Sequence, residues 1–223
     1  SGGINGRLEQ PGDRDWYQFE AKANQRFVLS GQTRTLGSPS DLFLRLYKPD
    51  GSVQAEIDDV GTDEGTLDVT FPIDGVYKLR VEDVARRGGP QHAYRINVAP
   101  YQPGFSLALE ADKFDVPQQG VLVAKVTCAR RDYKGPIALS IAGAGEGFVL
   151  QNNVIPDDKN ETTMSVTLPP ALKSGTVAAI QVVGQAKIGE SDVRAVASTL
   201  VPLRKELGTL PYPPAGLDGN VGL

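Results

Sequence analysis

Thr66-Leu67-Asp68-Val69-Thr70-Phe71 and, past the turn Ile73-Asp74-Gly75, Val76-Tyr77-Lys78-Leu79-Arg80-Val81 are the residues whose reading decides the fold. In both stretches apolar and polar side chains alternate with period two, which puts one face of a strand in a core and the other in water. Neither offers the i, i+3, i+4, i+7 spacing of an amphipathic helix. The same alternation recurs outward. Asp15-Trp16-Tyr17-Gln18-Phe19-Glu20-Ala21 sets Tyr17, Phe19 and Ala21 on one face and Trp16, Gln18 and Glu20 on the other. Residues 26–30, 42–47, 52–57 and 93–98 extend the set to about eight strands by residue 99. Lys48-Pro49-Asp50-Gly51 supplies Pro and Gly where a tight reversal wants them.

Pro100-Tyr101-Gln102-Pro103-Gly104 reads as a linker, and a new alternating segment starts straight after it. Residues 105–110, 120–129, 137–142, 162–168, 176–186 and 193–203 are the strands expected beyond it. Six or seven strands in about 100 residues is the count of an immunoglobulin-like sandwich. The Cys–Trp–Cys core of antibody domains is missing, since this half holds only Cys128 and no Trp. Residues 204–223, rich in Pro and Gly with little periodicity, read as a tail.

The expectation is an all-β chain of two tandem β-sandwich domains: residues 1–99, a linker at 100–104, residues 105–203, and the tail. Composition agrees, since 25 Gly and 16 Pro in 223 residues exceed the usual ~12% and supply turns between short elements. The longest apolar runs fall far short of the ~20 residues of a membrane helix. A net charge of −4 argues against a nucleic-acid-binding surface, which needs a basic patch. One His and one Cys exclude a cysteine-rich zinc site and an intrachain disulfide. No signal peptide is visible, and Ser1-Gly2-Gly3 reads as the edge of an excised piece, so a removed leader stays compatible with the chain.

Several short motifs, in order, carry a family resemblance. They are Gly12-Asp13-Arg14-Asp15-Trp16-Tyr17-Gln18-Phe19, Leu36-Gly37-Ser38-Pro39-Ser40-Asp41-Leu42, Leu46-Tyr47-Lys48-Pro49-Asp50-Gly51, Asp58-Asp59, Asp74-Gly75-Val76-Tyr77-Lys78-Leu79-Arg80-Val81 and Tyr94-Arg95-Ile96. Together they resemble the bacterial pre-peptidase C-terminal domain over residues 1–99. The resemblance implies a compact sandwich with jelly-roll character, without catalysis, attached to secreted bacterial peptidases and other exported proteins. It implies a secreted, periplasmic or cell-surface location, and neighbouring domains of a larger exported protein as partners. The second half looks like the immunoglobulin-like module that follows such domains.

Acidic residues concentrate in one stretch. No Lys or Arg occurs between Lys48 and Lys78, yet Asp50, Glu56, Asp58, Asp59, Asp63, Glu64, Asp68 and Asp74 do. Asp58, Asp59, Asp63 and Glu64 share one turn-rich segment. They are the candidate calcium ligands, because crowded carboxylates repel one another unless a cation supplies compensating charge. Some collagen-binding modules that resemble this family bind calcium through acidic residues. The other reading is a solvated acidic hairpin tip whose Asp side chains cap turns.

Trp16 is the candidate ligand-binding residue, since an outward indole on a sandwich stacks on a sugar ring; the other reading packs it under a loop or against the second domain. Tyr47, Tyr77 and Tyr94 read as core or edge residues. Asp13, Asp15, Ser38 and Asp41 read as turn-capping groups, with Asp41 alternatively joining a polar network with Asp15. His92 is the one possible catalytic imidazole and would need Ser38 or Ser40 beside it and an Asp to orient it. No Gly-x-Ser-x-Gly elbow accompanies it. Cys128, on the apolar parity of its strand, reads as a buried inert thiol. Arg86-Arg87 and Arg130-Arg131 read as exposed loop charges, or as contacts to the other domain or to an anionic polysaccharide.

These readings point to a monomeric, non-catalytic accessory segment that binds or targets extracellular carbohydrate or protein. The alternative is a structural spacer beside a secreted peptidase or other catalytic domain.

Overall fold

The computed structural model describes residues 2–58, 65–143, 145–209 and 213–223. It divides into two compact units, residues 1–102 and 103–223.

The first unit is a sandwich of two four-stranded sheets. In chain order its strands are β1 (Gly2–Arg7), β2 (Asp15–Ala21), β3 (Arg26–Gln32), β4 (Leu42–Tyr47), β5 (Val53–Asp58), β6 (Thr66–Thr70), β7 (Gly75–Asp83) and β8 (Ala93–Pro100). One sheet runs β1-β8-β3-β6 and the other β2-β7-β4-β5, with antiparallel pairing throughout. The alternation in the sequence becomes the two faces of each strand. Leu44 and Leu46 of β4, Tyr77, Leu79 and Val81 of β7, Leu29 of β3 and Ile96 of β8 are fully buried between the sheets. Each such side chain contributes roughly 1.5–3 kcal/mol on burial.

The Pro49-Asp50-Gly51 reversal forms as the sequence indicates. Lys48 N–H donates to the Ser52 carbonyl at 2.8 Å, and the Asp50 carboxylate accepts from the Ser52 N–H and hydroxyl. Gly75 opens β7 at φ 151°, and a Cβ there would lie 2.5 Å from Pro49 Cγ. Both facts require glycine at that position.

The second unit holds β9 (Gly104–Leu109), β10 (Val121–Arg131), β11 (Ile137–Ala142), β12 (Val149–Gln151), β13 (Val154–Ile155), β14 (Glu161–Thr167), β15 (Ala179–Ile188), β16 (Ser191–Ser198), the short helix α1 (Leu200–Glu206) and β17 (Val221–Gly222). One leaf is β12-β14-β10-β9 and the other is β15-β11-β13 with β17 on β15. β16 joins them: residues 191–196 pair antiparallel with β15, and Ala197 and Ser198 pair parallel with β9. Leu107, Leu122, Val126, Ile137, Leu139, Ile155, Met164, Val166 and Val182 fill the space between the leaves. Cys128 is buried among them, and burial pushes its thiol pKa up. The all-β sandwich class expected from the alternation is what the chain adopts.

Two expectations need correction. The strand expected at 193–203 ends at Ser198, and Leu200–Glu206 is helical, burying Pro202 and Leu203. The expected tail is not free. Val221 is 1% exposed, β17 pairs with Ala179 and Ile180, and Leu223 exchanges both backbone hydrogen bonds with Ala178. The Asp218 carboxylate accepts from the Ser198 hydroxyl and the Thr199 N–H, both at 2.8 Å. Long-range pairing holds this segment, and a two-residue strand leaves no period to read.

Candidate functional site

The outward face of the β2-β7-β4-β5 sheet is where the candidate binding residue lies. Trp16 is 52% exposed, on the opposite face from Tyr17 and Phe19 as the alternation requires. It sits opposite Arg80 of β7, which is opposite Arg45 of β4, which is opposite Glu56 of β5. The next row is Gln18, Lys78, Tyr47 and Val53. Strands of one sheet are ~4.8 Å apart, so β2 and β4 are separated by β7, yet the Trp16 and Tyr47 rings meet with centroids 5.3 Å apart at 36°. The two rings therefore reach over β7 between Arg80 and Lys78.

Tyr47 was read as a core or edge residue; it stands instead on the outer face beside Trp16. Tyr47 follows Phe43 and Arg45 on the outward parity of β4, whose Leu42, Leu44 and Leu46 are buried; the register shift beside it skips Gln54 of β5 and leaves the alternation of β4 intact. Tyr77 and Tyr94 are core residues.

The charges of this face are arranged around the rings. Arg80 lies 5.9 Å from the Trp16 ring and donates to Glu82 at 2.7 Å. Arg14 donates to the other oxygen of the same carboxylate, also at 2.7 Å. Arg45 pairs with Glu56 at 2.7 Å and stands 5.0 Å from the Phe43 ring. Hydrogen bonding with Tyr47 raises the Arg45 pKa; burial opposes it, and the charge and hydrogen bond of Glu56 add to the rise. Trp16, Tyr17, Gln18 and Lys78 line an open depression of about 420 Å³ on the edge strand β2.

Of the four calcium candidates only Asp58 is among the described residues. Asp58 closes β5 on its exposed side, and Asp59, Asp63 and Glu64 lie outside the described residues. Other acids of the stretch have partners: Asp50 caps its own turn, Asp74 accepts from the Ala23 N–H at 2.8 Å, Asp68 takes both arms of Arg26, and Glu56 takes Arg45. Among the described residues no three His, Cys, Asp or Glu side chains are grouped to hold a metal.

His92 does meet a serine. Ser40 Oγ lies 2.9 Å from His92 Nδ1, but Ser40 is 1% exposed. Among the described residues no carboxylate orients the ring. A triad binds the nucleophile through Nε2 and its Asp through Nδ1; here Nδ1 takes the serine and the hydroxyl is sealed from substrate. The pair ties the 38–41 segment to the loop before β8. Ser38 Oγ caps the same segment through the Ser40 N–H at 3.3 Å.

Two polar clusters escaped the sequence reading. The Asp83 carboxylate, fully buried, accepts from the Asp41 N–H, the Arg87 N–H and the Arg87 guanidinium at 2.9–3.2 Å. Burial pushes the Asp83 pKa up, but Arg87 and the two backbone donors outweigh it and hold it below the ordinary carboxylate value. Asp15 accepts from Tyr94 OH at 2.5 Å, and Tyr94 OH meets Tyr17 OH at 2.7 Å. Burial first, and then the hydrogen bonds to Asp15 and Tyr17, raise the Tyr94 phenol far above its usual range. Gly6 makes room for this cluster: a Cβ there would lie 2.3 Å from Tyr94 Cζ. Asp15 thus joins Tyr94 rather than Asp41. Asp13 caps its turn as expected, accepting from the Glu9 and Arg14 N–H groups at 2.7 and 2.9 Å. In the second unit Arg130 is no loose surface charge. It donates to the Lys159, Gly135 and Pro156 carbonyls at 2.8, 2.7 and 2.9 Å and clamps three loop segments.

Residues 13–83, which lie within the first unit, match the family model described as the bacterial pre-peptidase C-terminal domain. Such domains are accessory parts of larger exported bacterial proteins. No curated protein matches the chain. Among solved structures, a DUF4785 family protein from Legionella pneumophila is similar at 15% identity with a TM-score of 0.28, over 87% of this chain and 58% of that one. Bifidobacterium dentium β-glucuronidase complexed with coumarin-3-O-glucuronide is similar at 11% identity with a TM-score of 0.39, over 81% of this chain and 38% of that one. At such values neither carries an argument about this chain's role. No helix among the described residues is long and apolar enough to cross a membrane.

Proposed function

We propose that this chain is a non-catalytic binding segment of a larger secreted or cell-surface bacterial protein. Its first sandwich holds an extracellular carbohydrate on the outer face of the β2-β7-β4-β5 sheet. The observation that carries the reading is Trp16: a half-exposed indole on the edge strand β2 of a regular sheet, braced by Tyr47 of β4 at 5.3 Å. A lone exposed tryptophan costs solubility. Set against a second ring on a backbone held by cross-strand pairing, it forms a stiff apolar platform that loses little entropy when a pyranose ring stacks on it. A sandwich brings such a platform to a polymer and keeps a neighbouring catalytic domain beside its substrate. Pull-down and glycan-array binding with the whole chain and a Trp16→Ala variant test the reading. The variant is expected to lose binding at least tenfold with an unchanged circular dichroism spectrum; equal binding by the variant overturns the platform.

A further inference from the structure

The charge around Trp16 specifies the ligand further, resting on the binding reading above. The chain carries a net −4, and residues 1–100 hold 12 Lys and Arg against 15 Asp and Glu. Immediately beside the rings the balance turns positive, with Glu20 one row further along the same face of β2. Arg14 and Arg80 share the single carboxylate of Glu82, which leaves one positive charge beside the indole. Lys78, exposed on the same face and lying in register between Gln18 and Tyr47, has no acid partner among the described residues. It lines the same depression as Trp16 and Gln18. Arg45, in contrast, is neutralised by Glu56.

We propose that the Trp16 platform selects acidic saccharides, chains of hexuronate residues, with Trp16 and Tyr47 stacking on the apolar face of the ring and Lys78 receiving its carboxylate. The Gln18 amide bonds ring hydroxyls. A neutral sugar would fit the aromatic pair but leave Lys78 without a counter-charge. A ligand carboxylate supplies that charge at a surface where solvent is partly displaced by the rings, so the pairing is worth more than an ordinary exposed ion pair.

The test uses the intact chain and three hexasaccharides, galacturonate, mannuronate and glucuronate. Each is paired with its carboxyl-reduced counterpart, which keeps ring and linkage and removes the charge. Titration calorimetry at 50 mM and 500 mM salt is expected to show at least one uronate bound tenfold or more tighter than its reduced form. That preference should shrink several-fold at high salt, as screening requires. Lys78→Gln is expected to abolish the preference while leaving the weaker binding of the reduced form. Trp16→Ala is expected to lose both. Equal affinity for charged and reduced forms overturns the acidic-saccharide assignment and leaves the carbohydrate reading standing. A preference that survives Lys78→Gln overturns the role of Lys78. No binding to any of the six sugars overturns the acidic assignment; no binding across a neutral glycan array as well overturns the platform reading with it.

Discussion

Asp83 is the residue on which the loops at one end of the first sandwich depend. Its carboxylate is sealed from water and satisfied by two backbone N–H groups and one guanidinium. Asparagine is nearly the same shape but carries no charge for Arg87 and replaces one acceptor with a donor facing N–H groups. Asp83→Asn is therefore expected to cost about 2–4 kcal/mol, since breaking a buried charged pair leaves its donors unsatisfied; urea denaturation of the first unit measures it. The pH dependence follows from the direction of the shift. The folded pKa of Asp83 lies below the unfolded value near 3.9. Its contribution is complete above that value and is lost as pH falls through the folded pKa. Wild-type stability is expected to drop below about pH 4 with a slope that Asp83→Asn reduces. Cys128 gives a second residue-scale outcome. With its thiol buried and its pKa raised, it is expected to resist alkylation at pH 8 in the native chain and to react on unfolding. Fast labelling of the native chain would contradict that placement.

At the scale of elements, the alternation in β2, β4, β7 and β8 indicated correctly which side chains turn inward, because a pleated strand leaves only two faces. Applied to β4 it also puts Tyr47 outward with Phe43 and Arg45; what alternation does not carry is that this ring meets Trp16 two strands away. The strands β12, β13 and β17, of three, two and two residues, are too short to show alternation; they exist because longer neighbours offer them an edge. β17 allows a direct check. Deleting residues 208–223 removes Val221 from the second core and leaves the Ala178–Ile180 backbone without its partners. The truncated chain is expected to lose about 2–4 kcal/mol of second-unit stability, read as an earlier thermal transition. An unchanged transition would mean that the segment is an ornament. The β1–β8 pair is equally testable: Gly6→Val drives a side chain into Tyr94 and Tyr17 and is expected to destabilise the first unit while leaving the second unchanged.

For the whole molecule, each unit has its own buried cluster. Fragments cut between residues 102 and 103 are therefore expected to fold separately, each melting cooperatively; a fragment that stays unfolded on its own would show that its core is incomplete. The sequence by itself determined the all-β class, the inward parity of each long strand, the Gly- and Pro-marked reversals, the outward position of Trp16 and the likeness of residues 13–83 to the pre-peptidase C-terminal domain. These are local matters: period, turn chemistry and short motifs act over a few residues. Only the tertiary structure decided that Tyr47 braces Trp16, that one glutamate serves two arginines beside it, that Asp15 belongs to Tyr94 and Asp83 to Arg87, and that the final residues complete the second core. Most of those contacts join residues distant in the chain, up to 79 apart for Asp15 and Tyr94; Asp83 and Arg87 are four apart, but the same carboxylate also holds the Asp41 N–H, 42 residues away. Strand order and register set such contacts, and a single sequence carries no local mark of them.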